Sequence, residues 1–200
     1  IARYFNVNRS IPDIYDRVLL RRVENHYFCE VNHEPFFLML SAGLDAEIVR
    51  QVNSIRTVGS SAYLYARAAL MSLFSYREAE GEVRFDDIDN QISSAFCGGF
   101  VLANAPPYAR SFMPVSEASS QGNHLSVRLF NERKFNSIFN WGYAYLFKQG
   151  LNLENSQIFY CSKARIVFKS PAPVQLDGDY LGEMTELSIS KSEKQVPFLV

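Results

Sequence analysis

Residues 174–190 constrain the fold more than any other part of the chain. Val174 and Leu176 alternate with Gln175 and Asp177, and Leu187 and Ile189 resume the alternation beyond Gly178. A period of two is what a strand with one buried face requires, and Gly178 stands where a chain reversal needs positive φ. The stretch reads as a hairpin. At its tip two carboxylates, Asp177 and Asp179, flank the glycine. Ionised carboxylates this close repel one another, an arrangement suited to proton transfer. Asp-Gly is also the commonest turn dipeptide, so turn chemistry alone is the competing reading of the pair.

The same period recurs along the chain. Tyr27–Val31 and Pro35–Ala42 read as a hairpin across Asn32-His33-Glu34, with His26 and His33 as solvated loop residues. Ala95–Ala103 reads as a buried strand whose Gly98-Gly99 permits a bulge or a close backbone approach. Leu125, Val127 and Leu129 alternate with Ser126 and Arg128 as a half-buried strand, and Ile166 and Phe168 alternate before the closing hairpin. Tyr15–Val23 fits strand or helix by period alone. Helical stripes are fewer. Asp45 stands before Ile48, Val49, Val52 and Ile55 as a natural N-cap of a helix ending at Gly59. Residues 61–76 are apolar around most of a helix, and Phe135, Ile138, Phe139, Gly142 and Leu146 share one helical face. The acid-rich residues 77–91 lack calcium-loop spacing and read as a solvated turn. These patterns predict a mainly β (β-rich α+β) fold: a two-layer, mostly antiparallel β-sandwich with two or three inserted helices.

Charge and cysteine usage narrow the function classes. A formal net charge of -1 gives no footprint for nucleic acid. The three cysteines, Cys29, Cys97 and Cys161, are odd in number and far apart, which supports neither a disulfide framework nor a zinc site and makes a reducing cytoplasm the expected setting. No apolar run reaches bilayer length and no charged-then-apolar leader opens the chain, so transient peripheral contact is the expected form of any membrane association.

The segment Pro173-Val174-Gln175-Leu176-Asp177-Gly178-Asp179, with a final strand ending Gln195-Val196-Pro197, resembles the C-terminal end of the diacylglycerol kinase and sphingosine kinase superfamily of lipid kinases, whose members carry V-Q-x-D-G-E here. Three further stretches follow in the family's order. Leu40-Ser41-Ala42-Gly43-Leu44-Asp45-Ala46-Glu47 resembles its s-x-G-F-D-A-E segment, Val101-Leu102-Ala103-Asn104 its strand ending in Asn, and Ala118–Leu125 its A-x-x-x-D-G-x-L turn. The resemblance implies that residues 1–12 are the remnant of a nucleotide-binding domain and its linker, that 13–200 form the lipid-substrate domain, and that Tyr15–Val23 is a strand. The family's glycine-rich phosphate loop is not in this sequence, so the chain is expected to be inactive alone.

By the same resemblance Asp179 is the base that accepts a proton from a lipid primary hydroxyl, and Asp177 orders the site by hydrogen bonding or by a metal-bound water. Gly43, Leu44, Asp45 and Asn104 lie near the cleft, with Leu44 in place of the family's Phe. Gln121 stands where bacterial members place a magnesium-ligating Asp. A neutral amide is a poorer ligand for a hard dication, so that site is expected to be weak or empty. ATP and Mg2+ serve the whole enzyme and are held mainly by the other domain, none being expected on this chain alone. The implied partners are a lipid at a membrane surface and the nucleotide-binding domain, and a homodimer is left open. A non-catalytic sandwich module that binds lipid or protein is the alternative.

Overall fold

The computed structural model describes residues 10–55, 67–68, 71–72, 76–86, 91–105, 115, 118–131 and 154–200. Their elements run α1 (Ile11–Leu20), β1 (Val23–Val31), β2 (Glu34–Phe36), β3 (Met39–Gly43), α2 (Leu44–Ile55), β4 (Glu80–Asp86), β5 (Gln91–Cys97), β6 (Gly99–Ala103), β7 (Leu125–Phe130), β8 (Ser156–Cys161), β9 (Lys163–Leu176) and β10 (Asp179–Leu199). The strands hydrogen-bond into one antiparallel sheet of order β2-β1-β10-β9-β3-β6-β7-β8, with β4 joined to β9 and β5 to β4. The fold is mainly antiparallel β, as the period-two patterning requires.

The long strand β9 changes partner along its length. Residues 163–168 pair with β4, whereas Val174–Leu176 pair with β3. The β4–β5 limb is thereby laid over β6 and β8: Phe85 stacks on Phe159 with ring centroids 4.6 Å apart, and Phe96 meets Phe100 edge to face at 5.9 Å. Limbs of one continuous open sheet therefore pack on one another across the core. Leu40, Leu102, Leu125, Leu129, Ile166 and Leu187 are fully buried within it. Apolar area taken out of water at this interior is the main favourable term holding the fold.

Two hairpins turn by the same device. Val31 and Glu34 face each other across Asn32 (φ 49) and His33 (φ 73), and Leu176 and Asp179 across Asp177 (φ 50) and Gly178 (φ 95). Two consecutive positive φ values make the tight turn whose twist matches the flanking strands, and Asn, Asp and Gly tolerate it best. Asn32 secures the first turn further, accepting from Ser188 N at 2.8 Å and donating to Glu186 O at 3.2 Å.

The structure corrects several sequence expectations. Residues 11–20 are helical and strand β1 begins only at Val23, so Tyr15–Val23 is not a strand. Pro in the first turn and the i, i+3, i+4, i+7 stripe of Ile11, Ile14, Tyr15 and Val18 favour the helix, which ends at Arg21 in the left-handed region (φ 48). Residues 80–86 are strand. Gly81, Val83 and Phe85 are buried while Glu82, Arg84 and Asp86 face solvent, an alternation that the acid content of the stretch concealed. The expected strand 95–103 is two strands broken at Gly98, β5 pairing with β4 and β6 with β3 and β7. Strand β7 is buried on both faces, because Met39, Val101 and Phe130 gather with Val115 and Ala118 into a second apolar cluster. The helix expected over Phe135–Leu146 lies outside the described residues. Of 61–76, Arg67, Ala68, Met71 and Ser72 are helical, and Ala68 and Ser72 are buried.

The close approach anticipated at Gly98-Gly99 is between β3 and β6. Gly43 and Gly99 are register partners, and Gly99 has φ 120. A Cβ added at Gly99 would overlap the carbonyl oxygen of Ala42. Gly99→Ala is therefore expected to cost roughly 3 kcal/mol from the left-handed φ and the backbone clash together. Thermal unfolding should show a midpoint lowered by about 6–12 °C at this chain length. An unchanged midpoint would mean that the two strands do not meet this closely.

Candidate functional site

The Asp177-Gly178 turn is tied into the fold by its own side chains. The Asp177 carboxylate accepts the backbone N–H groups of Phe37 (Oδ2, 2.8 Å), Leu38 (Oδ1, 2.8 Å) and Met39 (Oδ1, 2.8 Å). Its own N–H donates to Met39 O at 2.9 Å. Asn104 takes the rest of that segment: Nδ2 donates to Phe37 O (2.8 Å) and Tyr27 O (2.9 Å), and its backbone N–H donates to Leu38 O (2.9 Å). Every backbone polar group of 37–39 is thus met by Asp177 or Asn104. This matters because the segment joins β2 to β3 where neither strand ladder can satisfy it, and unpaired buried amides are costly.

Gln175 makes the second tie. It is fully buried, opposite Ser41 in the β3–β9 register, and donates from Nε2 to Ser41 Oγ (2.9 Å) and Asp45 Oδ2 (3.1 Å). Its Oε1 accepts the Gly178 N–H at 2.8 Å. Ser41 Oγ in turn donates to Asp45 Oδ2 at 2.5 Å. Asp45 is therefore not the expected N-cap. It lies inside the first turn of α2, nearly buried, with its carboxylate turned toward β3 and β9. The connection β3–α2 and the hairpin tip are fixed to one another through Gln175.

Asp179 differs from its neighbour. It is exposed at the start of β10, outside the network that holds Asp177. Beyond it Tyr180 is half-buried, and burial together with Glu183 raises its hydroxyl above the usual 10. Leu44 and Asp45 line a shallow depression with Ala42, Gly98, Phe100, Val101 and Phe130. Gly43 closes against Gly98, since a Cβ on it would come within 2.5 Å of the Gly98 carbonyl oxygen. The structure therefore joins Asp45, Asp177 and Asn104 through backbone and Gln175, and leaves Asp179 free at the surface of that frame.

Gln121 lies elsewhere, in the turn 118–125, which packs against β1 and β10. Its Nε2 donates to Glu24 Oε2 at 3.3 Å. Ser120 receives His26, with Nδ1 2.7 Å from Oγ, and its carbonyl accepts Tyr27 N–H at 2.7 Å. His26 is thus not a solvated loop residue. It is 1 % exposed within β1, edge-on to Phe37 and Phe198. A register shift between Tyr27 and Cys29 changes the parity of the strand and brings it inward. His33, by contrast, is exposed on its turn as expected.

Burial lowers His26 below its usual 6.5, with Glu24 opposing in part. An imidazole protonated less readily when folded supports the fold fully above about pH 6.5 and loses that contribution as pH falls below it. The unfolding midpoint should accordingly drop between pH 7.5 and pH 5.5, and His26→Gln should flatten the decline. Parallel declines in the two proteins would place the acid sensitivity elsewhere.

No family model and no curated protein matches the chain. Solved structures do. A diacylglycerol kinase from Bacillus anthracis str. Sterne superimposes with a TM-score of 0.66 at 10% identity, covering 99% of this chain and 61% of the other. Two more chains from that strain, provisionally described as diacylglycerol kinases, give TM-scores of 0.68 and 0.67 at 10% and 12% identity, each with 64% of its length covered. The fold is diacylglycerol kinase-like. At these identities the likeness concerns fold, and the chain spans under two thirds of each of these kinases. Among the described residues no helix of the diacylglycerol kinase-like fold is long and apolar enough to cross a membrane.

Proposed function

We propose that this chain is the substrate-side, C-terminal domain of an ATP-dependent lipid kinase that phosphorylates a lipid primary hydroxyl, diacylglycerol-like or sphingoid, at a membrane surface. The observation that carries the reading is the unequal employment of the two carboxylates. Asp177 is committed to three backbone amides and holds the turn, while Asp179, on the same turn, presents an uncommitted carboxylate to solvent. A general base needs that combination of rigid support and an open acceptor. In the reaction the lipid oxygen bonds to the γ-phosphorus of ATP, the bond from that phosphorus to the β–γ bridging oxygen breaks so that ADP departs, and the hydroxyl proton passes to Asp179.

ATP supplies the phosphoryl group and is assigned to a nucleotide-binding domain outside this sequence. Within the chain, Gln175, Ser41 and Asp45 fix where the turn stands relative to α2, and Asn104 fixes the 37–39 segment beside it. The 200-residue chain assayed alone should show no ATP turnover. Turnover by it that disappears in Asp179→Asn would contradict the division into two domains.

A further inference from the structure

Lys191 is 7 % exposed and stands at an inward position of β10, two residues beyond Ile189 and four beyond Leu187. Burial lowers the pKa of its ammonium to about 8, which leaves it mostly protonated at pH 7. Its Nζ donates to the carbonyl oxygens of Ser119 (3.1 Å) and His124 (2.8 Å), and lies 5.7 Å from the centroid of the Tyr27 ring. Those two carbonyls bracket the turn that carries Gln121 and Gly122, where the resemblance to bacterial lipid kinases implies magnesium. The residues present do not fit that ion. Gln121 brings no charge and turns its amide nitrogen toward Glu24. A hard dication prefers carboxylate and carbonyl oxygens, and here the converging carbonyls already face a cation. A second positive charge among them would be repelled at close range in a poorly hydrated setting. Among the described residues no group of three or more His, Cys, Asp or Glu could hold a metal ion.

We propose that the Lys191 ammonium is the resident cation of the 118–125 turn, standing in for a divalent ion and making the turn independent of metal. The consequence is local as well as chemical. The turn is tethered to β1 through Tyr27 and His26, and Lys191 adds the tie to β10, so one covalently attached charge locks the turn across both strands. A metal-dependent turn would loosen on chelation, whereas this one keeps its cation.

The test uses the 200-residue chain at pH 7, with thermal unfolding measured in EDTA and across a magnesium titration, and backbone hydrogen exchange followed over residues 118–125. The wild type and Gln121→Asp are both expected to unfold at midpoints unmoved by magnesium, since the carbonyls stay engaged with Lys191 even when a carboxylate is supplied. Lys191→Met, which keeps the length of the side chain and removes its charge, should speed exchange of the 118–125 amides at least tenfold. Saturable magnesium stabilisation of the wild type or of Gln121→Asp would overturn the proposal. So would unaltered exchange of the turn in a folded Lys191→Met protein. If Lys191→Met does not fold, the magnesium titrations of the other two proteins still decide the question.

Discussion

Asp177→Ala should lower the unfolding midpoint by about 8–16 °C, corresponding to roughly 4 kcal/mol at this chain length. Three backbone N–H groups lose a charged acceptor at once, and hydrogen bonds to ionised groups contribute about 1.5–3 kcal/mol each without being additive. The substitution also places Ala at φ 50, which adds about 1 kcal/mol of left-handed strain. A graded series separates these causes. Asp177→Gly removes the carboxylate but not the permitted φ, so it should recover only the strain. Asp177→Asn can keep its carbonyl at the Oδ1 position, where Leu38 and Met39 donate, while its amide opposes the Phe37 N–H. It should retain about half of the lost stability. Equal midpoints for Asn, Gly and Ala would show that the carboxylate does not hold the 37–39 segment.

The second large effect concerns rate. In the two-domain kinase proposed above, Asp179→Asn should reduce phosphate transfer by about 10²- to 10⁴-fold, the usual loss when a general base is removed. It should leave the unfolding midpoint close to that of the wild type, because the exposed carboxylate takes no part in the Gln175 and Asp177 ties. Asp179→Glu makes the complementary case. The resembling family carries Glu here, and the shorter Asp retracts the carboxylate by about 1.5 Å. A displacement of that size can reduce a rate about 100-fold. Asp179→Glu should therefore raise transfer by up to the same factor. A Glu variant slower than the wild type would mean that the site is already fitted to Asp.

The contrast between these two residues also marks how far the sequence could be read. The closing hairpin was legible because Val174, Leu176, Leu187 and Ile189 alternate and Gly178 has φ 95. Asp177 and Asp179 are identifiable as a pair from the residues alone and their separate duties only through the family resemblance, whereas the backbone partners of Asp177 are not readable at all. Which carboxylate meets 37–39 depends on pairing across some 140 residues, and no local pattern encodes it. Ser41 and Gln175 were missed as partners for the same reason. A serine inside the wholly buried run Met39–Gly43 was the available signal, since a buried hydroxyl requires a partner.

Lys191 offered a clearer clue, continuing the inward parity of Leu187 and Ile189. His26 offered none, because a shifted register in β1 reverses the parity on which alternation depends. The helix at 11–20 is hard to read because its period is compatible with either state, and only Pro12 and the i, i+3, i+4, i+7 spacing set it apart from the strand that the family resemblance implies. Strand β4 is hidden in the sequence because its exposed face is rich in charge. Composition described that face alone, whereas Gly81, Val83 and Phe85 carry the packing.

The division of labour proposed for this turn, with Asp177 holding structure and Asp179 doing chemistry, is tested most directly by phosphate transfer. The chain would be joined to the nucleotide-binding half proposed above and given ATP with diacylglycerol, a sphingoid base or phosphatidylglycerol, with Asp179→Asn assayed beside the wild type. The account predicts transfer to one of these lipids, reduced at least about 100-fold in the variant, whose unfolding midpoint matches the wild type. Transfer by Asp179→Asn at the wild-type rate would contradict it.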